Sequence, residues 1–159
     1  MKKSICIVFA ALLALTAAFA ACTKPADKGE PATAAQLWEK VCEVSGFGEM
    51  TALPKSDYLD IYGIDTTKLA DSVWYMSSNP SLNADEVAIF KLSDASYRDE
   101  LVQKLEARIA RQLDVAKSYS PAEASKLEAA RVVTDGDFVY YCVGDASDAM
   151  MKVLKNTNK

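Results

Sequence analysis

The sequence predicts an α+β domain: an antiparallel sheet of about four strands packed by helices, with a helix at its N-terminal edge. Three observations predict it. Short β-rich runs end in turn residues, as residues 72–78 do before Asn79-Pro80. Longer stretches carry apolar residues at helical spacing, as residues 96–118 do. The run 87–96 also lines up with 138–147 at an offset of 51 residues. Each copy reads as a hairpin, then Asp-Ala-Ser, then a helix, which suggests a ββα duplication with the helices on one face of the sheet.

The elements follow in order. Residues 23–33 (TKPADKGEPAT) are polar and hold Pro25, Gly29 and Pro31, the composition of a tether. About eleven extended residues reach roughly 35 Å. Thr33 and Gln36 form a T-x-x-Q capping box. After it Leu37, Val41 and Val44 make an apolar helix face, with Trp38 and Cys42 beside it and Gly46 as the stop. Residues 55–62 read as a short helix ended by Gly63, and 85–92 as a strand after the first one.

Residues 96–118 form the longest helix, with Ser96 and Asp99 as caps. Leu101, Leu105, Ile109 and Ala116 share its apolar stripe, with Val102 and Leu113 at the edge. Gln112 falls inside that stripe. A buried amide must find partners, and nearby backbone is the expected one. Ser120, Pro121 and Glu123 restart a helix as N-cap, N1 and N3. Residues 131–134 and 137–143 read as a hairpin around Asp135-Gly136 with a type I′ turn. Asp145 or Ser147 caps a last helix holding Met150, Val153 and Leu154. The second strand of each hairpin is apolar almost throughout, which suits central, well-covered strands.

Location comes from the first residues. Met1-Lys2-Lys3 precedes an uncharged apolar run over 5–17, and small residues lead into Ala20-Ala21-Cys22. That is the layout of a secretory signal, and its end resembles a lipoprotein lipobox, with Phe19 where that pattern has Leu. The resemblance implies cleavage before Cys22 and a lipid on that thiol, on the outer face of the cytoplasmic membrane. Cleavage after Ala20, giving a secreted protein, and an uncleaved anchor are the alternatives. The expected division is a signal peptide over 1–21, the lipidated cysteine and tether over 22–33, and one domain over 34–159.

Charge and composition exclude several activities. The whole chain of 159 residues carries a net charge of −4, and loss of Lys2 and Lys3 with the leader makes it −6. Lys and Arg are scattered, so neither a phosphate backbone nor an acidic membrane surface finds a basic stripe. There is no histidine. Ser-His-Asp and Cys-His nucleophiles and His-based metal sites are therefore excluded.

Several constellations have two readings each. Cys42 and Cys142 could pair, since an exported protein keeps disulfides; the favoured reading is two buried free thiols acting as small hydrophobes. Asp135, Asp137, Asp145 and Asp148 cluster at one end of the last hairpin and helix. A weak Ca²⁺ site is one reading and turn and cap chemistry the favoured one. Asp57, Asp60 and Asp65 offer an acid pair for glycoside hydrolysis, or a solvated helix and turn. Trp38, Trp74, Tyr58, Tyr62, Tyr75, Tyr140 and Tyr141 sit on apolar faces, where core packing is the default over a ligand groove.

Tyr62-Gly63-Ile64-Asp65, Trp74-Tyr75-Met76-Ser77-Ser78 and Glu86-Val87-Ala88-Ile89-Phe90 stand out in order and spacing. So do Arg108 with Gln112, Tyr119 with Pro121, Leu127-Glu128 and Gly136-Asp137-Phe138-Val139. Together, over residues 50–155, these resemble a family of small lipoproteins of Gram-positive, often gut-dwelling, bacteria. It is the domain-of-unknown-function family numbered four thousand three hundred and fifty-eight. The resemblance implies a cell-surface lipoprotein of unknown activity and supplies no catalytic residues. Glu86, Arg108 and Gln112, which belong to its motifs, read as a polar tie between the long helix and a strand, or as a functional pocket.

The function expected from these residues is a non-enzymatic binding or interaction module, without cofactor or metal, for a protein or small-molecule partner. A carboxylate-based hydrolase of envelope polymers and an assembly subunit of a membrane complex are the alternatives.

Overall fold

The computed structural model describes residues 32–157. The leader, Cys22 and the tether as far as Pro31 lie outside the described residues. Helix α1 (Ala34–Ser45) starts at the predicted capping box: Thr33 Oγ1 accepts from the Gln36 N–H at 3.2 Å, and Gln36 Oε1 accepts from the Thr33 N–H at 2.9 Å. It ends at Gly46, whose φ of 64° only glycine adopts without strain. Leu37 and Val41 are buried, but Val44 and Cys42, assigned to or beside the apolar face, are exposed.

Strand β1 (Met50–Ala52) follows, then helix α2 (Lys55–Tyr62), stopped by Gly63 as predicted. Strands β2 (Leu69–Ser77) and β3 (Glu86–Leu92) form the first hairpin. Helices α3 (Arg98–Tyr119) and α4 (Pro121–Ala129) come next. Strands β4 (Val133–Asp135) and β5 (Phe138–Val143) form the second hairpin, and helix α5 (Ser147–Thr157) closes the chain.

Three local expectations are corrected. Asp94, rather than Ser96 or Asp99, does the capping before α3: its Oδ1 accepts from the Ser96 N–H at 2.9 Å and starts a short 3₁₀ turn (Ala95–Tyr97). Helix α3 then begins at Arg98 with no side-chain cap. Ser120 caps α4 without its side chain; the Glu123 carboxylate accepts instead from the Ala84 N–H, 2.7 Å away, outside the helix. The central pair of the second turn is Gly136-Asp137, with Asp135 facing Phe138. Only Gly136 has φ above zero (57°), the mark of a type II′ turn rather than I′.

The sheet is antiparallel with five strands in the order β1-β2-β3-β5-β4. The strand beyond the expected four is β1, whose three residues pair only with Tyr75–Ser77 at the end of β2. Central β3 and β5 run in the register Glu86↔Val143 to Lys91↔Phe138.

Alternate side chains point to opposite faces. Trp74, Phe90, Val139, Tyr141 and Val143 meet Tyr58, Leu101, Leu105, Ile109 and Leu127 from α2, α3 and α4. Val87, Ile89, Phe138, Tyr140 and Cys142 meet Leu37, Val41, Met150 and Leu154 from α1 and α5. Helices therefore cover both faces, not one. The cause is the apolar character of β3 and β5 at nearly every position: one open face would leave half of those side chains in water. The 51-residue offset relates β3 to β5 but does not extend to their hairpin partners: Ile89 pairs with Val73, whereas Tyr140, 51 positions on from Ile89, pairs with Val133 rather than with residue 124, which lies in α4. The helices that follow β3 and β5 leave for opposite faces.

A saturated carboxylate beside an open groove

Glu86 is the first residue of β3 and is 1 % exposed. Its position puts it on the face covered by α3, and every partner comes from another element. Arg108 of α3 donates from Nε to Oε1 and from Nη2 to Oε2, each at 2.9 Å. Gln112, one turn on, donates from Nε2 to Oε2 at 2.7 Å. Trp74 of β2 donates from Nε1 to Oε1 at 2.6 Å, and the Tyr141 hydroxyl of β5 donates to the same oxygen.

Five donors on two oxygens leave this carboxylate no lone pair for a substrate proton. Burial pushes the Tyr141 hydroxyl well above its ordinary range, and the charge of Glu86 adds to it, so the phenol stays a donor. Burial alone would lower the Arg108 guanidinium, but the hydrogen bonds and charge of Glu86 outweigh it and the net direction is upward. The guanidinium also lies 4.7 Å from the Tyr62 ring centre and 5.7 Å from that of Trp74, over their π faces. The cluster ties helix to sheet, the structural reading of Glu86, Arg108 and Gln112.

The expectation for Gln112 is corrected: its partner is a carboxylate on a distant strand, not nearby backbone. Because a carboxylate only accepts, the amide must turn Nε2 to Glu86 and Oε1 away. That Oε1 is buried and has no hydrogen-bond partner. Trp74 and Tyr141 read from the sequence as core aromatics. The one available indication of more is that each carries a polar handle that needs a partner when buried.

Gln112 also lines a groove of about 470 Å³. One wall is the β2–β3 loop with Leu82, the second is the last turns of α3 with Arg111, Val115 and Tyr119, and the third is α4 with Glu123 and Leu127. Leu82 is 73 % exposed, Val115 62 % and Tyr119 84 %. The wall on α4 is braced by Lys126, whose Nζ lies 3.1 Å from Asp85, 3.3 Å from Glu123 and 3.8 Å from Asp145. No sequence pattern marks this groove, because its residues come from three separate segments.

The other candidates do not assemble. Asp57 and Asp60 lie on α2, and none of Asp57, Asp60 and Asp65 lines either described cavity. Asp65 accepts from the Thr67 hydroxyl and N–H, which hold its carboxyl below the usual range, the wrong direction for a general acid. Asp135 and Asp137 stand at one end of β5 and Asp145 and Asp148 at the other, so the expected cluster at one end is corrected. Among the described residues no three His, Cys, Asp or Glu side chains are placed to hold a metal. Cys42 and Cys142 are free, one exposed and one buried. Tyr58 and Trp74 pack in the core; Trp38 and Tyr75 stack at 4.0 Å on the α1 side.

No curated protein and no solved structure matches the chain. A model of the domain of unknown function DUF4358 matches residues 44–144, from the last turn of α1 through the whole sheet and α2 to α4 to the end of β5. That span is well over half of the sequence, and it holds Glu86, all four residues that donate to it, and the groove; the chain belongs to the DUF4358 family.

Proposed function

We propose that this protein is a lipid-anchored, non-enzymatic binding module on the outer face of the cytoplasmic membrane. The observation that carries the binding role is the open groove beside Gln112. Three large apolar side chains stand exposed around it, while Gln112 and Lys126 tie its two helical walls to Glu86 and Asp85 at the start of β3. Pre-formed concave apolar sites of this size take small ligands and short segments of a partner.

The placement of the groove supports the same reading. The Ala34 N–H donates to Asp71 Oδ2 at 2.7 Å, so the chain enters the domain near the Lys91 and Phe138 end of the sheet. The groove lies at the Glu86 end, about 17 Å from Lys91 along β3 at ~3.3 Å per residue. The groove thus lies far from the point where a tether from Cys22 would join the domain, which keeps the tether clear of it. Two acyl chains on that cysteine suffice for stable anchoring. The hydrolase alternative has no geometry in its favour, since none of its three aspartates lines either described cavity.

Two measurements test this. Mass spectrometry of the mature N-terminus is expected to show an acylated Cys22; an unmodified chain starting at Ala21 refutes the anchor. A photo-crosslinking residue at Val115 in intact cells is expected to give an adduct that the same residue at Lys40, on α1, does not give. Equal adducts at both positions, or none at Val115, refute the binding role. An adduct with a membrane-complex subunit instead assigns the groove to assembly.

A further inference from the structure

We infer that the groove binds the carboxy-terminal end of an apolar peptide. This rests on the binding-module reading and names its ligand. Three features define what fits. The apolar walls of Leu82, Val115, Tyr119 and Leu127 need an apolar body. Gln112 Oε1 is a buried acceptor whose orientation Glu86 fixes, and it lacks a donor. Leaving such an atom unpaired is unfavourable, and a ligand N–H relieves it once the side chains that cover it part. Arg111, next along the helix and in the same wall, is an exposed cation that makes no ion pair among the described residues. The neighbouring Glu123 is already engaged by Lys126 and the Ala84 N–H.

One chemistry meets all three needs: apolar side chains, a backbone N–H for Gln112 Oε1, and a terminal carboxylate for the Arg111 guanidinium. A fatty acid offers the body and the anion but no donor. A sugar offers donors but not the apolar body.

The test uses calorimetry on the mature full-length protein in lipid nanodiscs, with empty nanodiscs as baseline. The probes are N-acetyl-leucyl-leucine, its carboxamide, the form N-methylated at the peptide nitrogen, and decanoate. The free acid is expected to bind about tenfold more tightly than either the carboxamide or the N-methyl form. Arg111→Gln is expected to erase the difference between acid and carboxamide, and Val115→Asp to abolish binding. Both positions are exposed, so both variants fold. Equal affinity of acid and carboxamide, or binding that survives Val115→Asp, overturns the inference. Decanoate binding as tightly as the dipeptide overturns the peptide assignment too. No probe binding while the Val115 crosslink persists likewise refutes the ligand and leaves the binding module standing; loss of both removes the module as well.

Discussion

Arg108 holds Glu86 through two parallel hydrogen bonds, Nε to Oε1 and Nη2 to Oε2, each 2.9 Å long. The pair is deeply buried on the carboxylate side. Removing one partner leaves the other charge without compensation, which typically costs about 3–5 kcal/mol. Glu86→Leu and Arg108→Met are each expected to lose stability on that scale in urea titrations. The double variant is expected to lose less than the two singles combined. Additive losses would show that the two groups do not act as a pair.

Gly144 follows β5 directly and has no room for a side chain. A Cβ there would lie 2.7 Å from Phe47 Cε1 and 3.1 Å from Met150 Cε. Gly144→Ala is expected to destabilise by about 1–3 kcal/mol through overpacking. Adding Phe47→Leu should recover part of that, since the nearest ring atom goes. A Gly144→Ala protein with unchanged unfolding midpoint would contradict the packing described.

Tyr58 and Tyr140 are both pushed up to about 12, chiefly by burial; the Ser72 hydrogen bond partly offsets it for Tyr58, and Asp135 adds to it for Tyr140. Their folded-state values lie above the unfolded value near 10. The unfolded chain therefore releases these protons first as pH rises. Their contribution is intact below pH 10 and is lost between about 10 and 12. Absorbance titration should show slow, unfolding-limited ionisation in that window, and Tyr140→Phe should shift base unfolding to higher pH. Immediate ionisation of all tyrosines near pH 10 would refute this.

The two thiols of the domain differ in accessibility. Partial burial and Glu39 raise Cys42, while burial pushes Cys142 much further up. A thiolate is the reactive species. Cys42 is expected to react slowly in the native protein and Cys142 only on unfolding. Non-reducing electrophoresis should show no band that reductant shifts. A faster-running monomer band that reductant shifts would instead establish the Cys42–Cys142 bond.

Much of the fold was legible because its determinants are local. Thr33 with Gln36, and the glycines at 46 and 63, announce helix ends within a few residues of themselves. Strand β1 was not legible, because Met50–Ala52 is short, largely exposed, and held only by its pairing with Tyr75–Ser77. The two-sided cover was visible in principle in the unbroken apolar run of β5, but the periodicity of α5 does not say which face it takes. At the site, Glu86, Arg108 and Gln112 were singled out and do meet. Their geometry was hidden because Gln112 finds its partner 26 positions away and Tyr141 finds it 55 away. Spacing along one element carries no information about contacts that distant.

Glu86 sits at an alternating position in a strand otherwise apolar until Lys91. If β3 slid by a single residue against β2 or β5, the carboxylate would swing to the side of Ile89, Tyr140 and Met150, where no guanidinium awaits it. A naked anion in that layer is far costlier than any apolar mismatch. The one acidic residue at the head of the central strand therefore fixes the alignment of the ladders, because a one-residue slip that grease alone would tolerate strands its charge.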